Sequence, residues 1–216
     1  MTGYTRAPAH WALRLGLVGV VLAVATALAN DGVPGWDASA FRVVHHLPEA
    51  LEPVLWAPMQ LGSVLAPGVV AALTWVLWGR WRPSIGAVVA GIGGWWAAQL
   101  VKDFVGRGRP YAVLIAGDVR SGAPHDGLGF LSGHTTVAFA LAAVVSPYLT
   151  RSQRIAVYAL AGTVGFARVH VGAHFPLDVV AGAALGYGLG WLWNLAVGVP
   201  ASAATDASLV RDERTP

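Results

Sequence analysis

Long apolar stretches without charged residues alternate with short polar segments along most of the chain. Six runs contain no Asp, Glu, Lys or Arg, and four of these are long enough to cross a bilayer, which takes about 20 residues. The first run reaches that length when Trp11 to Arg14 are added, because a terminal Arg can extend to the interface. The fifth does so when it continues through Arg168 to Val171. The pattern therefore predicts six membrane-spanning helices. The runs are 15–30, 53–79, 83–101, 127–150, 155–167 and 179–205, and the predicted helices are about 11–29, 59–79, 85–104, 131–149, 154–171 and 177–197.

Composition agrees with a chain embedded in lipid. Of the 216 residues, 56% are hydrophobic and only 12% are charged, and the mean hydropathy is +0.58. The fold class expected is all-α, a polytopic membrane helix bundle that forms one domain. The absence of cysteine excludes disulfides, Cys-ligated zinc and thiol catalysis. The net charge of +3 comes without a basic cluster interleaved with aromatic residues, so no nucleic-acid partner is expected.

The predicted helices divide the chain into segments with different environments. Residues 1–10 are expected to form a cytoplasmic amino-terminus, 11–197 the six-helix transmembrane domain, and 198–216 a disordered cytoplasmic tail rich in Ala, Ser and Thr. Within the domain, 31–58 reads either as a surface loop or as a short amphipathic helix on the membrane. Residues 1–29 also resemble a secretory signal that ends in a small-residue cleavage site, which would leave five spans.

Arginine in the short loops predicts the orientation in the membrane. Segments 80–82 and 150–154 each carry two Arg and no acidic residue, and two predicted helices separate them. The positive-inside rule therefore places both in the cytoplasm. The longer loops, 31–58 and 105–130, would then face the extracytoplasmic side of a multi-pass protein in the cell (inner or plasma) membrane.

Three polar clusters gather on this predicted outer side, at the ends of helices. Cations placed against the orientation bias at the membrane edge need a reason, and a bound polyanion supplies one. Lysine and arginine hold phosphate oxygens through charge-assisted hydrogen bonds, and a helix amino-terminus favours an anion. An imidazole followed four residues later by a carboxylate supplies a nucleophile or base in a fixed tautomer. The clusters are Lys102 with Arg109-Pro110; Ser132-Gly133-His134; and Arg168 with His174 and Asp178.

The order and spacing of these clusters resemble the type-2 phosphatidic acid phosphatase family, whose motifs read K-x6-R-P, P-S-G-H and S-R-x5-H-x3-D. The resemblance covers about residues 59–197. Two positions depart from the motifs: Leu131 stands where the family has Pro, and Ala167 where it has Ser. Neither change removes a charged or proton-transferring group.

The resemblance implies an integral membrane phosphatase, metal-independent and without a cofactor, that hydrolyses a lipid phosphate or a polyprenyl (undecaprenyl-type) pyrophosphate through a phosphohistidine. His174 would be the nucleophile, Asp178 would orient it, and His134 would protonate the leaving oxygen. The phosphate would be bound by Lys102, Arg109, Arg168, Ser132 and Gly133. Phosphatidic acid, phosphatidylglycerol phosphate and a polyprenyl-phosphosugar phosphate are equal substrate candidates, since nothing in the residues chooses among them.

Other interpretations stay open at this point. A transporter would also place charges at membrane edges, and a lipid-phosphate-binding protein could keep the basic pocket without the chemistry. Arg107 and Arg120 can be interpreted equally as contacts to lipid headgroups and as solvated loop charges, and His170 is interpreted as a surface residue. Gly182, Gly186 and Gly190 form a small-residue stripe on the last helix, which fits packing within one chain or a homo-oligomer.

Overall fold

A computed structural model describes residues 3–5, 10–114, 120–124 and 126–201. The described residues are mostly helical, with a single pair of two-residue strands, which confirms the all-α class. Most of the predicted tail, 198–216, lies outside the described residues. Arg6 in the predicted amino-terminal segment and His125 in the loop 105–130 lie outside them as well. The strands β1 (Tyr4–Thr5) and β2 (Val199–Pro200) form an antiparallel pair. The α-helices are α1 (Trp11–Asn30), α2 (Gly35–His45), α3 (Glu52–Met59), α4 (Ala66–Trp78), α5 (Trp81–Val105), α6 (Pro110–Val113), α7 (Gly133–Val145), α8 (Arg151–His170) and α9 (Pro176–Val197), with short 3-10 turns at Glu49–Leu51, Gln60–Gly62 and Ser146–Tyr148.

Local sequence signals set where the helices begin and end. Helix α8 begins at a capping box, in which Thr150 and Gln153 each satisfy the other's free backbone N–H. Pro176 occupies the first turn of α9, where its missing N–H leaves no bond unmade. Helices α4 and α5 end at Gly79 and Gly106, whose φ angles of 58° and 69° favour glycine.

The prediction of one continuous helix over 59–79 is wrong at its start. Helix α4 begins only at Ala66, and the preceding helical stretch Glu49–Gly62 meets it at a 73° bend. Ser63 has extended backbone angles, so the helical hydrogen bonds stop there. The segment 31–58 is also more ordered than a loop, since α2, a 3-10 turn and α3 occupy most of it.

Helix α7 forms the centre of the bundle, and most of its side chains are buried. The glycine stripe of α9 packs directly on it: a Cβ atom at Gly182 or Gly190 would lie 2.6 Å from a backbone oxygen of α7, and one at Gly186 would collide with Thr136. Only glycine permits this approach of two helix backbones. Of the two roles left open for this stripe, the structure displays packing within one chain.

Three described helices, α1, α5 and α9, are long and apolar enough to cross a membrane, or four if the bent pair 49–62 and 66–78 counts as one span. Helix α7 is only 13 residues long, and α8 carries Arg near both ends. The protein is thus a membrane protein by its helices, while the six-span count stays a prediction.

The arginine-rich loops meet at one end of the bundle. The Arg82 guanidinium lies 3.8 Å from the ring of Tyr4 and donates to the carbonyl of Val197. Arg80 lies over Tyr148, at the start of the segment that leads into α8. The carboxyl end of α5 and the amino ends of α7 and α9 lie at the other end, and this second end holds the three sequence motifs.

Candidate active site

The three motifs converge although 76 residues of sequence separate Lys102 from Asp178. The Ser132 backbone N–H donates to the Asp178 carbonyl at 3.0 Å, which joins the starts of α7 and α9. An Arg109 Nη1 atom lies 3.5 Å from His174 Nε2, which joins the first motif to the third. All eight predicted site residues are described, and the fold brings them together at this end of the bundle.

His174 lies between α8 and α9, and its side chain is 2% exposed. Its Nδ1 atom lies 3.7 Å from Asp178 Oδ2 and has no hydrogen-bond partner within the described chain. Burial lowers the pKa of His174 well below its ordinary value, and the charges of Lys102, Arg109 and Arg168 lower it further. A lowered pKa favours the neutral form of the ring, in which one nitrogen keeps a lone pair.

Three cations surround His174, and each also holds a backbone carbonyl of segment 122–128. Lys102 Nζ donates to Leu128 at 3.3 Å, Arg109 Nε to Asp126 at 3.0 Å, and Arg168 Nη1 to Gly122 at 2.8 Å. Arg168 Nε is buried and has no hydrogen-bond partner in the described structure. Because buried donors are nearly always satisfied, this atom is a candidate for binding an anion.

The second motif forms the amino-terminus of α7. Ser132 is the N-cap, and its Oγ accepts hydrogen bonds from the backbone and the hydroxyl of Thr135. Gly133 is the first helical residue, so its backbone N–H has no partner inside the helix. His134 follows in the same turn, and Gly62 packs against its backbone. This end of α7 therefore combines free N–H groups, a positive dipole end and an imidazole.

Two charged residues of this region were missed or misread from the sequence. Arg107 is 5% exposed and bridges Asp178 and Asp37, so reading it as a solvated loop charge or a headgroup contact is wrong. Asp37 is fully buried in α2 and was not singled out. The only signal for Arg107 is its place two residues before Arg109 in the same glycine-rich loop, and no local pattern marks Asp37.

His170 is also buried, contrary to the surface role predicted for it. Its ring stacks on Phe166, and the guanidinium of Arg120 lies 3.0 Å from it. Arg120 donates to the carbonyl of Leu47 as well, and so ties its loop to the segment after α2. None of the side-chain hydrogen bonds described for Arg120 and His170 goes to one of the eight predicted site residues.

The two departures from the family motifs fall at apolar positions. Leu131 is buried in a cluster with Phe130 and Leu177. Ala167 is buried with Met59 and Val171, so its methyl group fills an apolar space where a hydroxyl would need a partner. No group of three or more His, Asp and Glu side chains within the described ranges is arranged to hold a metal ion.

The family model of the PAP2 superfamily matches residues 59–199. The match covers more than half of the chain and includes all three motifs, and the chain belongs to this superfamily. The resemblance found in the motifs is thereby confirmed.

Two curated relatives share part of this sequence. A lipid A 1-phosphatase of Rhizobium johnstonii is 41% identical over 93 residues, which is 41% of this chain and 37% of that protein. A lipid A 1-phosphatase of Rhizobium etli is 40% identical over 98 residues, covering 44% of this chain and 40% of that protein. The chain therefore matches about two fifths of the length of these relatives.

Two solved structures share the fold. The transmembrane PAP2-type phosphatidylglycerolphosphate phosphatase of Bacillus subtilis superposes with a TM-score of 0.66 at 21% identity, over 84% of this chain and 94% of that one. LpxE of Aquifex aeolicus gives a TM-score of 0.63 at 24% identity, over 72% and 92% of the two chains. At this identity the likeness establishes a shared fold.

Proposed function

We propose that this chain is an integral membrane phosphatase that hydrolyses a lipid phosphate or polyprenyl pyrophosphate through a phosphohistidine, without a metal ion. The observation that carries the proposal is a buried His174 whose Nδ1 faces the Asp178 carboxylate at 3.7 Å and whose Nε2 lies 3.5 Å from Arg109. A surface histidine that only binds a headgroup has no need of this environment. The family membership and the lipid phosphatases among the relatives support the same class of reaction.

The reaction proceeds in two steps. The Nε2 lone pair of His174 attacks phosphorus, the bond to the leaving oxygen breaks, and His134 gives that oxygen a proton. The Nδ1–H of His174 donates to Asp178, which stabilises the positive imidazole of the phosphohistidine. Water then attacks phosphorus and breaks the P–N bond, while His134 takes the proton of the water by the reverse of its first role.

The cations supply the electrostatic part of catalysis. Phosphoryl transfer depends mainly on positioning and on stabilising the charge of the three equatorial oxygens. Lys102, Arg109 and Arg168 face these oxygens, and the Gly133 N–H and Ser132 hydroxyl add donors at the start of α7. The carbonyls of segment 122–128, which the cations now hold, would give way to phosphate oxygens because ionised acceptors bind more strongly.

The substrate class is tested by phosphate release in detergent with EDTA present. The panel contains phosphatidic acid, phosphatidylglycerol phosphate, a polyprenyl pyrophosphate, a polyprenyl-phosphosugar phosphate and lipid A 1-phosphate, the last suggested by the curated relatives. We expect release from at least one lipid, at a rate that EDTA leaves unchanged, because Arg and Lys provide the positive charge. Full loss on chelation that Mg²⁺ restores would contradict the metal-independent mechanism, and binding of every lipid without release would favour a binding protein.

We further propose six membrane spans, with α1 retained and the site on the extracytoplasmic side. Helix α1 packs on α9, where Val18 meets Gly188 and the Arg14 guanidinium lies 4.3 Å from the ring of Trp191. The two-arginine loops at the other end of the bundle follow the positive-inside rule. The domain limits proposed are 11–197 for the membrane domain, with cytoplasmic segments on either side.

Single cysteines test this orientation cleanly, because the chain has no cysteine of its own. Ser121 lies at the site end and Ser152 at the opposite end, and both side chains are exposed. In intact cells, Ser121→Cys is expected to react with a membrane-impermeant maleimide, while Ser152→Cys should react only after permeabilisation. The reverse pattern would place the site in the cytoplasm.

A further inference from the structure

A buried chain of charges leads from α2 to the proposed nucleophile. We propose that Arg107 and Asp37 are positioning residues, which hold the Asp178 carboxylate so that one of its oxygens faces His174. The inference rests on the proposed phosphatase function and extends its machinery to two residues outside the three motifs. Asp37 also lies outside the range matched by the family model, which begins at residue 59.

Arg107 spans the two carboxylates with separate nitrogen atoms. Its Nη1 donates to Asp178 Oδ1 at 2.7 Å, and its Nη2 donates to Asp37 Oδ2 at 2.6 Å. The guanidinium carbon lies 4.8 Å from the ring centroid of Phe175, so an aromatic side chain covers the plane of the cation. All three charged side chains are at most 2% exposed. Water therefore cannot replace either bond without opening the core.

The two oxygens of Asp178 have different partners. Oδ1 accepts from Arg107, while Oδ2 accepts the backbone N–H of Phe175 at 2.9 Å and lies 3.7 Å from His174 Nδ1. A carboxylate is planar, so fixing Oδ1 on the guanidinium also fixes the direction of Oδ2. The oxygen left facing the imidazole is the one that can accept its Nδ1–H when the ring becomes positive.

Asp37 anchors the other side of the guanidinium. Its Oδ1 accepts the backbone N–H of Leu177 at 2.9 Å, in the first turn of α9. Asp37 therefore binds the first turn of α9, the turn in which Asp178 lies. Arg107 connects the two carboxylates by donating a hydrogen bond to each. Only a planar group with several donors can hold two carboxylates in this way; a lysine ammonium is a single point charge on a flexible stem.

The first test is Arg107→Lys, which keeps the positive charge but loses the planar guanidinium whose two nitrogen atoms donate to the two carboxylates. We expect kcat to fall on the order of 10²-fold, the size of effect that a misplacement of about 1 Å produces. KM should change little, because the side-chain hydrogen bonds described for Arg107 go to Asp178 and Asp37 and to none of the three cations proposed to bind phosphate. The matched control is Arg120→Lys. In the part of the chain that the structure describes, the Arg120 side chain binds His170 and the carbonyl of Leu47 and none of the proposed site residues, so its kcat is expected to stay near that of the wild type.

A double-mutant cycle separates positioning from general destabilisation. In Asp178→Asn, the group that Arg107 holds has lost its charge, so adding Arg107→Lys should lower kcat by less than about 3-fold further, although it costs about 10² in the wild-type background. A merely structural role predicts that the two losses multiply. Multiplying losses, or a rise in KM with kcat unchanged, would overturn the inference.

Asp37→Asn provides the second variant, in case Arg107→Lys does not fold. It is isosteric and leaves the bond of Arg107 to Asp178 intact, so we expect a smaller fall in kcat, on the order of 10-fold, which should again disappear in the Asp178→Asn background.

Failure of this inference and failure of the proposed function give different results. A wild-type protein that releases no phosphate from any lipid overturns the proposed function itself, whereas an active wild type whose Arg107→Lys and Asp37→Asn variants keep full kcat overturns only this inference.

Discussion

Replacing His174 by alanine is expected to abolish turnover and the acid-labile phosphoenzyme while the protein stays folded. Loss of a covalent nucleophile lowers kcat on the order of 10⁶-fold in hydrolases where it has been measured. The variant keeps Lys102, Arg109 and Arg168, so lipid phosphate should still bind. The measurement is a rapid acid quench with ³²P-labelled lipid, together with steady-state phosphate release.

His170→Ala is the matched control for this experiment. His170 is also buried near the end of α8, and its ring is in contact with Arg120. If the loss in His174→Ala came from a damaged fold, His170→Ala should show it too, and both should unfold at lower temperature. A His174→Ala protein that hydrolyses lipid near the wild-type kcat would end the phosphohistidine mechanism.

His134→Ala is expected to lower kcat by about 10²–10⁴-fold, the usual contribution of a general acid. The loss should depend on the leaving group. A lipid alkoxide needs the proton, whereas 4-nitrophenolate leaves readily without it, so the aryl phosphate should lose much less rate. His134 sits in the first turn of α7, one residue after Gly133.

The two substrates serve as controls for each other in the same preparation of protein. Equal losses for the lipid and the aryl phosphate would contradict the role of His134 as an acid and point to misfolding or to a binding defect. A defect in binding alone would raise KM and leave kcat unchanged. A His134 variant that retains the phosphohistidine but accumulates it would show that the residue is needed in the second step.

The motif residues that meet at this end of the bundle could be picked out from the sequence because the motifs are short and local. Lys102 and Arg109 lie within one helix end and the loop after it, and His174 and Asp178 are four residues apart at a helix start. Such spacings fix which groups face the same way before any tertiary contact forms. The contacts of Arg107 and Asp37 were not predictable, because 70 residues of sequence separate these two side chains and neither lies in a pattern of its own.

The positions of the helices also include some features that the sequence predicted and some that it did not. Charge-free runs predicted six long helices, and each run contains a helix in the structure. The bend before Ala66 was missed because a run of apolar residues shows the same sequence pattern whether its helix is continuous or interrupted. The helical contacts of segment 35–59 were also hidden: Phe41 is buried against Phe175, and Leu55 lies with Ala167, so this segment packs partly on protein.

The sequence alone determined the lipid environment, the all-α class and the three motifs of the superfamily, because hydropathy and motif spacing act over a few turns of chain. Only the tertiary structure decided that the glycine stripe of α9 packs on α7 and that Lys102, Arg109 and Arg168 hold backbone carbonyls of Leu128, Asp126 and Gly122. It also decided that Asp178 is shared between His174 and a buried arginine. These features are contacts between segments far apart in sequence, and such contacts form only when the helices pack.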